Sequence, residues 1–285
     1  MCLLAGVSRA GYYRHWRASR PRQEETALRD RIQRIALADR HYGYRRVTAE
    51  LRREGWLVNH KRVLRITRED NLLCFRRRAF VPATTQSNHR HKIYPNLARR
   101  LEPTAPNQLW VADITYIRLD EAFVYLAVIL DAFSRKVIGW ALDDHLEASL
   151  ALEALRMALA RRAIIAGALI HHSDRGVQYA CFDYVSVLNQ YGIIPSMSRP
   201  GCPYDNAMAE SFMKTLKHEE VDGTVYRDID HVRAAMSEFL ETVYNRKRLH
   251  SALGYRPPVE FEAGLADLEW GAAQHPIQDL IQPSP

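Results

Sequence analysis

Along the first quarter of the chain, apolar residues recur at the three-to-four-residue spacing of amphipathic helices. Leu28, Ile32, Ile35 and Ala36 predict a helix over Glu24 to Ala38. Val47 and Leu51, four apart, predict a second over Tyr44 to Glu54, punctuated by Gly43 before it and Gly55 after it. Asn59 suits the N-cap of a third helix that carries Val63, Leu64 and Ile66 inward. Two short helices joined by a glycine-containing turn form a helix-turn-helix, so residues 1–75 read as a small all-helical unit. The periodicity then stops. Arg76, Arg77 and Arg78 open a polar, basic stretch with Pro82 and Pro95 that reads as a linker over 76–107.

From Gln108 the rhythm is that of strands and helices in alternation. LWVADITYIRL, FVYLAVILDAF and KVIGWAL are rich in β-branched and aromatic residues and predict three consecutive strands. A helix follows over Glu147 to Arg162, with Leu150, Ala154, Leu155 and Ala158 in register. ALIHHSD predicts a strand, Phe182 to Tyr191 a helix and IIPSMS a strand. Met208 to Glu220 and Asp230 to Arg246 predict two more helices. A three-strand meander followed by helix, strand, helix, strand and helix is the order of a ribonuclease H-like α/β fold. That order predicts a mixed five-stranded sheet flanked by helices over 108–225, followed by a C-terminal helix and tail over 226–285.

Charge adds a partner to this picture. The formal net charge is +7, but residues 1–100 carry +16 and residues 101–285 carry −9. A basic half joined to an acidic half points to a polyanion-gripping module attached to something else. On the third helix His60, Lys61, Arg62, Arg65 and Arg68 face outward. The second helix of a helix-turn-helix enters the major groove of double-stranded DNA, where such residues meet phosphates and base edges. The segment YNRKRLHSALGYRPP is open to two readings: Leu253 and Tyr255 favour packing, whereas Arg246, Lys247 and Arg248 favour phosphate. No run approaches the roughly 20 apolar residues of a membrane span, and the first residues do not form a secretion signal, which predicts a cytoplasmic protein. Cys2, Cys74, Cys181 and Cys202 form no CxxC pair, which argues against a disulfide framework or a structural zinc site.

Three carboxylates carry the candidate chemistry. Asp113 lies inside the first strand, where an ionised group is costly without a partner. Asp174 ends the fourth strand, and Glu210 lies in the first turn of a late helix. The predicted topology brings all three to one edge. Clustered carboxylates raise one another's pKa values, and a hard divalent cation with oxygen ligands relieves that conflict. Two such ions stabilise the attacking and leaving oxygens of an in-line phosphoryl displacement, with water or a DNA 3′-hydroxyl as nucleophile. His171 and His172 precede Asp174 and read as buried or supporting histidines, with approach to the scissile phosphate as the alternative. His172 and Asn206 are the candidates to support the site, Asn206 by positioning DNA or a metal-bound water. Asp205 reads as a helix N-cap or the start of a turn, and Asp131 as a structural turn residue.

At these residues the chain resembles transposases of the insertion sequence three family, second-reading-frame product, within the DDE transposase and retroviral integrase superfamily. The resemblance is carried by HYGYRRVTAELRREG, NQLWVADITYI, DAFSRKVIGW, HHSDRGVQY, SMSRPGCPYDNAMAESFMKTLKHE and YNRKRLHSALGYRPP, with 35 residues between Asp174 and Glu210. It implies metal ligation by Asp113, Asp174 and Glu210, with magnesium as the cofactor, manganese tolerated and two ions bound. It implies a basic residue seven after the glutamate, here Lys217; Lys214 shares that helix face, and both point along a DNA strand. Cleavage of transposon ends and 3′-hydroxyl strand transfer follow, in a bacterial, nucleoid-associated protein acting as a homodimer or larger assembly on DNA. No heptad zipper appears, so partnership with the upstream-frame protein is a further expectation. The alternative is a catalytically inactive helix-turn-helix regulator of the longer frameshifted transposase.

Overall fold

The computed structural model describes Ser8, Ala10 and residues 23–72, 91–119, 122–199 and 202–266. Cys2, Cys74, the arginines 76–78, Pro82 and the tail after 266 lie outside the described residues. The chain divides into two compact units, residues 1–76 and 77–285.

The first unit contains α1 (Gln23–Ala38), α2 (Tyr44–Arg53) and α3 (His60–Glu69). Leu28, Ile32, Ile35, Val47, Leu51, Val63 and Ile66 are buried between them, as their spacing predicts. Leu64 departs from the prediction. It is only half-buried, and Thr67, one turn after Val63, takes the inward place with its hydroxyl bonded to the Leu64 carbonyl. Gly55, at φ +87°, ends α2 in a conformation that Cβ-bearing residues rarely adopt, and Trp56 N–H returns to the Leu51 carbonyl. Asn59 caps α3 by accepting from Lys61 N–H at 2.8 Å.

The second unit is built on one sheet. Its strands are β1 (Leu109–Arg118), β2 (Phe123–Asp131), β3 (Val137–Asp143), β4 (Ile170–Ser173) and β5 (Ile194–Met197). Their order is β3-β2-β1-β4-β5; β1 to β3 are antiparallel, while β4 runs parallel to β1 and β5 parallel to β4. This is the ribonuclease H-like arrangement. Alternate residues of β1 divide between two cores. Trp110 and Ala112 face α4 (Ala148–Arg161), α5 (Val177–Ala180) and α6 (Phe182–Gln190). Leu109, Val111 and Ile117 face α7 (Ala207–Leu216) and α8 (Ile229–Ser237). Both late helices run on into wider, π-type turns, Lys217–Val221 and Glu238–Lys247.

Residues 91–107, within the stretch read as linker, lie against this unit. Leu97, Ala98 and Leu101 pack on the α7 side, and Leu97 N–H donates to Ser196 Oγ at 2.9 Å. Asp131 has the structural role predicted for it: fully buried, it accepts from the backbone N–H groups of Asn107, Phe133 and Ser134 at 2.7, 3.0 and 3.0 Å. The C-terminal segment wraps the fold. Tyr244, Asn245, Leu249, His250 and Leu253 are buried. Of the two readings open for this segment the packing one holds for Arg248, which is turned inward. A last helix, α9 (Pro258–Ala266), follows. No described helix is long and apolar enough to cross a membrane.

Candidate active site

Register brings the first two carboxylates level. Val111 on β1 pairs with His172 on β4 in parallel. Two residues further along each strand stand Asp113 and Asp174, on the same face because the side-chain period is two. β4 stops at Ser173 while β1 continues to Arg118, so this point is a notch in the sheet at the carboxyl end of a parallel strand. Asn206 ties α7 to that notch: its Nδ2 donates to the Ala112 carbonyl at 3.1 Å. A carbonyl can only accept, so the amide nitrogen must face it and Oδ1 faces away; Oδ1 is buried without a partner. Glu210 stands one turn later on the same helix face.

The electrostatics of Asp113 agree with this placement. Burial pushes the Asp113 carboxyl up to about 7, and the neighbouring charges of Asp174 and, more weakly, Glu210 push the same way. Ile114 N–H, donating to Asp113 Oδ1 at 2.9 Å, opposes them. Asp174 Oδ1 accepts from Gly176 N–H at 2.9 Å, in a turn where a Cβ on residue 176 would stand 3.0 Å from that oxygen. Glu210, with its side chain 37% exposed, pairs with Lys214 at 3.7 Å. Among the described residues, the trio whose potential ligand atoms all lie within 4.8 Å of one another is a different one, Asp143, Asp144 and His145 at the end of β3. The Asp113, Asp174 and Glu210 oxygens do not all lie within that distance of one another. Their donor set is all oxygen and all anionic, which suits a hard divalent cation.

The other predicted residues separate into groups. His172 is fully buried, its ring between Ser196 Oγ at 2.8 Å and Ser198 Oγ at 3.1 Å, and burial lowers its pKa to about 4. It stands one pleat behind Asp174 as a neutral support. His171 is likewise buried, bonded through Nε2 to Tyr184 Oη at 2.9 Å, with its pKa lowered to about 3. Asp205 does not cap α7. Its carboxylate is bound by the backbone N–H and guanidinium of Arg199, which hold it well below the usual carboxylate range. Lys214 is exposed, whereas Lys217 is half-buried with its Nζ 4.4 Å from the centre of the Tyr116 ring. On α3, His60, Lys61, Arg62, Arg65 and Arg68 are all exposed. Arg65, however, is bound to Glu25 and, at 2.8 Å, to Glu69, and Arg62 stands 3.8 Å from Glu25.

Sequence reasoning missed Tyr116 and Arg248. Tyr116 lies three residues beyond Asp113 on β1, and nothing local marks it as the seat of Lys217, 101 residues away. Arg248 was legible as a cation but not as a buried one.

The integrase core domain family matches residues 103–203, a second integrase core domain family matches 191–258, and an HTH-like domain family matches 22–80. An uncharacterised 31 kDa protein of insertion element IS600 from Shigella sonnei is 41% identical over 266 residues, covering 92% of this chain and 97% of that protein. Transposase InsF of insertion sequence IS3A from Escherichia coli strain K12 is 38% identical over 269 residues, covering 92% of each. Among solved structures, the HTLV-2 integrase catalytic core domain in complex with magnesium aligns with a TM-score of 0.43 at 15% identity, over 56% of this chain and 99% of that one.

Proposed function

Because the chain belongs to the IS3 family of insertion-sequence transposases, we propose that it cleaves and joins DNA ends at the notch formed by Asp113, Asp174 and Glu210. The observation that carries this reading is the convergence of three carboxylates from β1, β4 and α7, with the Asp113 carboxyl pushed up to about 7. These three residues would hold magnesium, or manganese in its place, as two ions. When bound, such ions activate the attacking oxygen and stabilise the leaving one. Water attack on a terminal phosphodiester forms one P–O bond as another breaks, leaving a 3′-hydroxyl and a 5′-phosphate. In joining, that 3′-hydroxyl attacks a target phosphodiester and releases a target 3′-hydroxyl.

The protein's own groups divide the remaining work. Asn206 and His172 brace the notch from α7 and β4. Lys214 and Lys217 offer cations beside it for the DNA backbone. On α3, His60, Lys61, Arg62 and Arg68 grip the duplex, while Arg65 holds the helix in place through Glu25 and Glu69. Joining two ends requires two sites, so the active form is a homodimer or a larger assembly on DNA, with the upstream-frame protein as a further partner.

Glu210→Gln tests the reading. It removes one anionic ligand and keeps the shape, so magnesium-dependent cleavage and joining are lost while DNA affinity stays near wild type. Joined products formed by this variant at the wild-type rate would overturn the mechanism.

A further inference from the structure

A buried ion pair ties the C-terminal segment to the helix that carries Glu210. Arg248 donates from Nε to Glu219 Oε2 and from Nη2 to Glu219 Oε1, both at 2.7 Å, and the two side chains are only 7% and 11% exposed. A two-pronged guanidinium–carboxylate pair fixes direction as well as distance. Burying two charges is costly, and such pairs serve register better than stability. What this one registers is the wide turn Lys217–Val221, in which Glu219 is the central residue.

That turn sets the place of Lys217. Asp222 N–H closes it on the Lys217 carbonyl at 2.7 Å. The Lys217 ammonium leaves the start of the turn and rests over Tyr116, in the field of Asp113 and Asp222. The other end of the brace is also anchored. Tyr244 meets Phe212 of α7 edge to face at 4.9 Å, and Asn245 bonds both the N–H and the carbonyl of Val137 at the start of β3. The segment thus spans from β3 to the middle of α7 and to the wide turn that follows it. Single-turn π segments of this kind occur frequently at functional sites.

We infer that Arg248 is a positioning residue that, through Glu219, holds the wide turn so that Lys217 stays over Tyr116 beside the carboxylates. Its consequence for catalysis rests on the reading of that site as a DNA-joining centre; the placement of Lys217 does not.

The test separates the two. The full-length protein is reductively dimethylated with 13C-formaldehyde, and the Lys217 signal is identified by its loss in Lys217→Arg. In the wild type that signal is displaced by the Tyr116 ring current relative to exposed Lys214. Arg248→Lys keeps the charge but loses the fork, and Glu219→Gln keeps the shape but loses the anion; having both covers the failure of either to fold. In the folded variants the Lys217 signal moves towards that of Lys214, and DNA joining falls at least about tenfold with DNA affinity unchanged. A merely structural pair would lower the melting temperature and leave the Lys217 signal where it is, and that result overturns the inference. A displaced signal with undiminished joining overturns it too. If the wild type joins no DNA under magnesium, the functional reading fails, and the signal alone still decides whether Arg248 places Lys217.

Discussion

Asp113 shows how a single residue of the proposed site can be costly to the fold. Its carboxyl titrates near 7 against an ordinary 3.8, because burial and the charges of Asp174 and Glu210 disfavour the anion. The folded state therefore holds a proton that the unfolded state has released. The stabilisation from this group is fully present below about pH 4 and is lost as pH rises through 7. Asp113→Asn removes that loss. In metal-free buffer at pH 8 the variant gains up to about 4 kcal/mol, a rise of roughly 10 °C in the melting temperature of this unit, and at pH 4 the gain disappears. Scanning calorimetry at the two pH values checks it; an equal shift at both would mean that the carboxylate is not strained by its neighbours. On the proposed function the same variant is expected to lose DNA cleavage and joining, so that stability and activity move in opposite directions at one side chain.

Among the elements, the cost of close approach is sharpest where α4 crosses β3. A Cβ on Gly139 would stand 2.2 Å from the Ala154 carbonyl oxygen and 2.9 Å from Ala158 N, both backbone atoms that cannot step aside. Gly139→Ala therefore pushes helix from sheet and costs about 1–3 kcal/mol. Gly264, inside α9, meets only the flexible end of Arg256 at 3.4 Å, so Gly264→Ala is neutral or raises stability by up to about 1 kcal/mol. Equal melting temperatures for the two variants would refute the packing argument. The elements themselves were largely legible in the sequence, since Leu150, Ala154, Leu155 and Ala158 mark α4 by period and the apolar runs mark β1 to β3. The carboxylates were legible because each sits at a definable place in its element. Contacts across long sequence separations were not. Glu219 and Arg248 are 29 residues apart, and neither the wide turns nor the inward aim of Arg248 leaves a local signal. Leu64 and Thr67 show the same limit in small: helical period gives the buried stripe but not which residue at its margin is turned in.

At the scale of the whole molecule charge is unequal between the two units, +10 on residues 1–76 and −3 on residues 77–285. The basic surface of the helical unit is not uniformly available for phosphate, because intramolecular pairs occupy part of it. Arg29 is bound to Glu69 and Asp70, Arg31 to Glu54, and Arg65 to Glu25 and Glu69. These pairs brace α1 against α2 and α3; the exposed row His60, Lys61, Arg62 and Arg68, in which Arg62 stands 3.8 Å from Glu25, is the surface proposed to meet DNA. Each phosphate neutralised releases counterions and steepens the fall of affinity with salt by about 0.9 per contact on duplex DNA. Replacing Lys61, Arg62 and Arg68 together by Ala should therefore weaken binding and flatten the slope of log affinity against log salt by about two to three units. Arg65→Ala should act differently, lowering the stability of the helical unit while the slope changes by less than one contact's worth. Glu210→Gln, a change in the acidic half, should leave the slope as it is. Fluorescence anisotropy on a labelled duplex from low to physiological salt reads all three. If the triple variant kept the wild-type slope, the helical unit would be a structural appendage, and the duplex would have to be held by residues 77–285, against their net charge of −3.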